Sequence, residues 1–225
     1  MTWLTGGVRS LSRPQLWMFG VLLALLLLVQ IDQPFPQTAP LHHAPTFALL
    51  LFLPGVLRRW PLSNGAVGCI LLFFALHTIG GRWTYTDVPY DALARALTGR
   101  TVSETFGFAR NHYDRLVHLS YGLLAILPVS EALRRHGGVS RRIALYIAVE
   151  SVLAVSALYE IFEWTLALGM AGDVAERYNG QQGDMWDAQK DMAFAALGAF
   201  ASAIFVVRGW KRSDAEVPVQ EDLRQ

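Results

Sequence analysis

Charge is scarce in this 225-residue chain: 16% of its residues are charged and 53% are hydrophobic, against roughly 25% charged in an average soluble domain. That deficit excludes an ordinary soluble surface. The apolar residues also fall in long blocks, the pattern of a membrane protein. Cysteine is nearly absent. Cys69 stands alone inside an apolar block, which excludes an intramolecular disulfide and any cysteine-based metal motif. The net charge of +1 gives no basis for a nucleic-acid partner, and membrane lipids are the expected surroundings. The chain carries no nucleotide fingerprint, P-loop or serine-nucleophile motif. It also lacks the internal repeat expected of inverted-repeat transporters.

What is present is a series of apolar runs. A hydrocarbon core of about 30 Å takes about 20 mostly apolar residues as a helix, fewer where flanking residues snorkel. Six runs qualify, at residues 16–31, 43–57, 66–79, 116–133, 143–168 and 187–207. The expected fold class is all-α: a polytopic membrane bundle of about six transmembrane helices, with residues 1–212 as one domain and 213–225 as a disordered cytoplasmic tail. Pro54 and Gly55 are expected to kink or interrupt the second run. No small-x-small site follows the first run convincingly, so it is expected to remain as a span rather than be cleaved as a signal peptide.

Basic residues mark cytoplasmic loops. Arg9 and Arg13, Arg58 and Arg59, Arg134 to Arg142, and Arg208 to Arg212 all fall on one side if six spans place both termini in the cytoplasm. This orientation gathers the ionisable residues. His77 ends the third run, Asp114 and His118 open the fourth, Glu160 and Glu163 lie near the end of the fifth, and Asp184, Asp187 and Asp191 open the sixth. All are expected at the outer boundary of the bilayer.

Helical faces sharpen that convergence. At about 100° per residue, Asp184, Asp187 and Asp191 share an arc that continues into Ala195, Gly198 and Ser202. Ser156, Glu160 and Glu163 share another, as do Asp114, His118 and Tyr121. Small residues let helices approach closely in lipid, so these polar stripes are expected to face one another. A carboxylate costs about 2.5–3.5 kcal/mol at the bilayer centre on insertion scales. Several together call for protonation or a bound cation. The expected ligands of a divalent metal ion are His118, Glu160, Asp187 and Asp191. Asp114 would orient His118, His77 would act as ligand or general base, and Glu163 as general acid/base. Asp184 suits an N-cap. Arg82 and Arg115 are available to neutralise part of the charge. Two other readings stay open: binding or transport of a cation, proton or head group, and a polar network that only locks the bundle. Transport would require polar residues to continue toward the cytoplasm, with Glu150 the main candidate.

The long outer loop contains "VPYDALARALTG", with Pro89 at its start and Gly99 at its end. It reads as a short amphipathic helix on the membrane surface. Tyr85, Tyr90, Asn111 and Tyr113 suit either a lid or ordinary packing. Gly80–Gly81 is expected to form a sharp turn. Trp83, Trp164 and Trp186 fit an interfacial belt.

The runs "HTIGGRWTY", "YDRLVHLSYGLL", "ALYEIFEW" and "QQGDMWDAQKDM" together resemble the YjdF-like family of bacterial inner-membrane proteins, whose domain is classed as of unknown function. The resemblance covers about 16–207 and implies the bacterial inner membrane as location. More remotely, the order of the last three runs is similar to VanZ-type membrane proteins, which carry Asp-Lys-x-x-His-Phe, then Tyr-Glu, then Asp-x-x-Asp entering the last helix. Asp114 and His118 match the first pair, with Arg115 in place of lysine. Tyr159 and Glu160 match the second, and Asp184 and Asp187 the third. A glutamine and an asparagine of that pattern are replaced by Glu163 and Asp191, so this chain is the more acidic. The resemblance implies that Asp114, Arg115, Tyr159 and Asp184 support the site.

Overall fold

The computed structural model describes residues 2–169, 172 and 180–215. Among them all regular structure is helical: α1 (Thr2–Arg9), α2 (Arg13–Leu28), α3 (Ala39–Arg59), α4 (Asn64–Arg82), α5 (Tyr90–Thr98), α6 (Val102–Phe106), α7 (Tyr113–His136), α8 (Arg141–Gly169) and α9 (Asp187–Ala215). Five of these, α3, α4, α7, α8 and α9, are long and apolar enough to cross a membrane, and α2 is a shorter apolar helix of 16 residues. The chain is thus a polytopic helical membrane bundle.

Local chemistry sets the starts. Ser12 accepts from Gln15 N while the Gln15 side chain returns to Ser12 N, a capping box that opens α2. Ser63 caps α4 by accepting from Ala66 N. Glu131 of α7 binds the same serine through its N–H (2.7 Å) and hydroxyl (2.6 Å), which ties the C-terminal end of α7 to the start of α4. Arg134, Arg135 and Arg141 gather around this contact, and it defines the basic end of the bundle.

Two apolar cores follow. Phe19, Leu22, Leu57, Val67 and Leu71 join α2, α3 and α4. Ile126, Leu145, Ala148, Val152, Ala195 and Ala199 join α7, α8 and α9. Near the other end, Tyr85, Val88, Tyr113 and Val117 join the halves. Within the second half, α7 and α9 meet backbone to backbone. A Cβ on Gly122 would overlap the carbonyl of Ala195, and one on Gly198 would overlap the carbonyl of Leu119. With no hydrophobic drive between helices in lipid, such close van der Waals contact is what holds them.

The structure departs from the sequence reading at four places. Helix α3 runs on through Pro45 and Pro54 without a break. Helix α1, unforeseen, lies against Pro54–Gly55, with Gly7 close to the Pro54 carbonyl. Gly80 and Gly81 are the last turn of α4 rather than a turn of their own. Their missing side chains admit the Tyr85 and Tyr113 rings and the His42 and His43 side chains. The chain instead reverses at Thr84 and Tyr85, whose φ values are 50° and 60°. Finally, α9 continues to Ala215, so the tail expected from 213 starts inside a helix, and 216–225 lie outside the described residues.

The surface helix does form as α5, ending at Gly99 with φ 79°, and none of its residues is buried. The residues considered for a lid are structural. Tyr90 Oη accepts from His112 N (2.9 Å), Asn111 Nδ2 donates to Val88 O (2.9 Å), and Tyr113 Oη donates to Leu76 O (3.0 Å). Trp164 and Trp186 are exposed at this end of the bundle.

Candidate metal site

Helices α7, α8 and α9 bring their ionisable residues together at the end opposite the basic one. Asp114 and His118 are one turn apart on α7. Asp187 and Asp191 are one turn apart on α9, directly above the small residues Ala195 and Ala199 that pack on α7. Gly122 lies one turn below His118, so the closest helix approach sits just beneath the acids and sets their spacing. Helix α8 contributes Glu160, Tyr159 and Glu163.

The acids divide into two groups. The first is charge-balanced. Asp187, 3% exposed, receives Arg110 Nη1 at 2.6 Å and Arg115 Nη2 at 3.4 Å. Asp184 receives Arg115 Nη2 and Lys190 Nζ, each at 2.6 Å. Arg110 also donates to the Gly180 and Gln181 carbonyls, which anchors the segment before α9. Burial, with Arg115 and Arg110 alongside, holds His112 below its ordinary pKa. Its Nδ1 therefore remains an acceptor for Arg115 Nη1 at 3.0 Å.

The second group has no such partners. Donor atoms of Asp114, His118 and Asp191 all lie within 4.8 Å of one another. His118 Nε2 is 3.5 Å from Glu160 Oε1 and 3.7 Å from Asp114 Oδ1, beyond good hydrogen bonds. Asp191 is 2% exposed, and its Oδ1 has no hydrogen-bond partner; Glu160 Oε1 is likewise buried and unpartnered. Among the described residues no arginine or lysine forms an ion pair with Asp114, Glu160 or Asp191. Tyr159 hydrogen-bonds Glu163 and presents its ring edge to His118, with centroids 6.0 Å apart. Orphaned buried acceptors each cost about 1–3 kcal/mol, and three acidic or imidazole donor atoms within 4.8 Å of one another could hold a divalent cation.

This division redistributes the sequence-derived roles. His118 and Asp191 stand where ligands are expected, with Glu160 beside them. Asp187 is instead neutralised by Arg110 and Arg115. Asp114, expected to orient His118, offers a donor atom itself. His77 lies apart from the acids: its Nε2 donates to His42 O (2.9 Å) and its Nδ1 accepts from Tyr85 Oη. Both ring nitrogens are thereby used. Arg82 closes the end of α2 by donating to the carbonyls of Val29 (2.6 Å) and Ile31 (2.8 Å). Asp184 is an ion-pair centre more than a cap, though its Oδ1 does accept from Trp186 N at 3.1 Å. Arg110 and Lys190 were not legible as partners, because both contacts depend on how the segment before α9 folds back.

Two expectations arise from the balanced group. Arg110→Ala removes the shorter of the two ion pairs on the buried Asp187 and leaves only Arg115 Nη2 at 3.4 Å, and should destabilise the protein by about 3 kcal/mol, read as thermal unfolding in detergent. Lys190, with Trp186 N–H and Arg115, holds the Asp184 carboxyl down to about 2 from 3.8. A depressed carboxylate contributes stability above its unfolded value and loses it as pH falls through the folded one. The stability gap between wild type and Asp184→Asn should therefore be constant above pH 5 and close between about pH 4 and 2.

A half-open cavity of about 850 Å³ adjoins the site. Asp114, His118 and Tyr159 line one end; Phe73, Tyr121 and Ala125 line the middle; Ala132 and Leu133 line the far end. His77 lines it too.

Residues 14–212 match the family described as "Predicted membrane protein (DUF2238)". The chain is similar to the inner membrane protein YjdF of Escherichia coli (strain K12), with 37% identity over 165 residues, covering 73% of this chain and 75% of that protein. No solved structure matches.

Proposed function

This chain belongs to the family of predicted membrane proteins DUF2238, and from that premise we propose that it is a divalent-metal-dependent enzyme of the bacterial inner membrane acting on lipid or cell-envelope head groups. The observation that carries this reading is the segregation of charge. Among the described residues, the arginine and lysine ion pairs near the site go to Asp184 and Asp187, while Asp114, His118 and Asp191 converge within 4.8 Å without one, and Asp191 Oδ1 keeps no hydrogen-bond partner. A chain that only needed these acids for packing would pair them. Location supports the substrate class: with the arginine clusters and both termini in the cytoplasm, the site would lie at the depth of the outer head groups. The relative from E. coli is an inner membrane protein.

In this reading Asp114, His118 and Asp191 hold the ion and Glu160 completes its shell. A bound ion supplies Lewis acidity toward a phosphoryl or carbonyl oxygen and lowers the pKa of a coordinated water. Glu163, oriented by Tyr159, moves the proton. Arg110 and Arg115 keep Asp187 and Asp184 ionised and fix α9 against α7. The apolar far end of the cavity favours a one-sided site over a conduit. Metal analysis of the detergent-purified protein should find one divalent ion per chain, lost in Asp191→Ala. Incubation with extracted envelope lipids should change their head groups only in the metal-loaded protein. Absence of any bound divalent ion, or lipid conversion undiminished in Asp191→Ala, would overturn the proposal.

A further inference from the structure

The site described so far uses only one end of the cavity. The remainder is apolar and long. Its lining runs along α7 from Asp114 to Leu133, about 28 Å at about 1.5 Å per residue, close to the full hydrocarbon thickness of about 30 Å. Phe73 of α4, Tyr121 and Ala125 of α7 and Val155 of α8 wall its middle. At about 850 Å³ it lies in the range of ligand pockets, about 300–1,000 Å³. Polar atoms gather at the acidic end, where Asp114, His118, Ser156 and Tyr159 face it. Ser156, 2% exposed, keeps its hydroxyl without a hydrogen-bond partner there.

We infer that this cavity holds the hydrocarbon chain of a long-chain lipid phosphate, with the phosphate on the Asp114–His118–Asp191 group. The shape selects an amphiphile: one polar end, one extended apolar channel. The chain runs deeper than one leaflet, about half of the 30 Å core, so a single long chain fits better than a short one. The head must be an oxyanion. Three or four protein donors leave coordination positions open on a divalent ion, and phosphate oxygens are its natural further ligands. The Ser156 hydroxyl is a further donor on the same wall. This inference rests on the metal reading for its head group, whereas the chain site rests on the cavity alone.

Selection here comes from shape rather than from the hydrophobic effect, because a lipid tail is already in hydrocarbon outside the protein. The test therefore reads position, not affinity alone. Full-length protein in phosphatidylcholine nanodiscs is loaded with Mn²⁺ and exposed to hexadecyl phosphate carrying a diazirine at mid-chain. After irradiation, labelled residues are mapped by mass spectrometry. Labelling should concentrate on Phe73, Tyr121 and Ala125. Excess unlabelled hexadecyl phosphate should suppress it at least fivefold, and inorganic phosphate should not. Ala125→Trp, which fills the middle of the channel, should cut cavity labelling at least fivefold with Mn²⁺ binding retained. Ala132→Phe, at the far end, gives a milder block, and should suppress a hexadecyl probe more than a decyl one.

Polyprenyl phosphate and phosphatidic acid as competitors distinguish the natural sources. The channel's length predicts the stronger suppression by the polyprenyl lipid, and equal or stronger suppression by phosphatidic acid would overturn the single-long-chain assignment. Labelling confined to exposed residues such as Leu123 and Leu127, and indifferent to Ala125→Trp, would overturn the chain site. Cavity labelling that is the same with EDTA as with Mn²⁺ would keep the chain site and overturn the metal's part in holding the head.

Discussion

Asp191→Asn is expected to raise the thermal stability of the metal-free protein while abolishing its response to divalent ions. The side chain is 2% exposed and its Oδ1 has no hydrogen-bond partner. His118 is the basic neighbour in its donor group. An uncompensated carboxylate at such a position destabilises, and neutralising it with an isostere should recover about 1–3 kcal/mol. The wild type, by contrast, should gain from Mn²⁺ by mass action: about 2.7 kcal/mol when the free ion is at 100 times its dissociation constant. The two effects have opposite signs, which separates a ligand site from a structural one. Melting curves in detergent, with EDTA and with Mn²⁺, give both. If Asp191→Asn melts lower than wild type in EDTA and the metal response persists, the residue is a structural partner and the site reading is wrong. The polar-network alternative predicts just that pattern.

The second large effect lies below the site. Gly198→Ala should destabilise by about 3 kcal/mol and weaken metal binding, although it adds one methyl group. That methyl has no room, with Leu123 N at 2.8 Å and the Leu119 carbonyl nearer still. Both neighbours are backbone, so α9 must move away from α7 as a body. His118 and Asp191 then separate, because each sits one turn from a glycine contact. The control is Gly20→Ala in α2, where a Cβ meets nothing within 4 Å; replacing a helical glycine there should be stabilising by about 0.5–1 kcal/mol. If both substitutions behave alike in unfolding and in metal titration, the glycine contact does not set the geometry of the site.

Much of the architecture was legible in the chain, because the bilayer imposes a single length and a single chemistry on a span. The apolar runs gave the helices, and the periodicity of Asp187, Asp191, Ala195 and Gly198 gave the packed face of α9. Helix starts were less legible, since caps such as Ser63 depend on Glu131 from α7 as well as on local sequence. The turn after α4 was misread for a related reason. Gly80–Gly81 resembles a chain reversal, but these glycines serve close approach inside a helix, and the reversal falls on Thr84 and Tyr85. Proline at 54 failed to break α3, and α1 packs over that point.

The sequence by itself determined that the chain lives in a membrane, that it is built of long apolar helices, and that acids and histidines crowd one end. Those follow from composition and periodicity, which are properties of single segments. Only the tertiary structure decided which acids are paired. Asp187 and Asp191 sit on one face of one helix and look equivalent in the chain. Arg110, 77 residues before Asp187, folds over the first and not the second. A charge 3% exposed with two guanidiniums and a charge 2% exposed with no hydrogen bond to Oδ1 are different chemical objects. That difference is set by long-range placement of cations, which no local pattern encodes. It is also what separates the acids tied by arginine and lysine ion pairs from those without them.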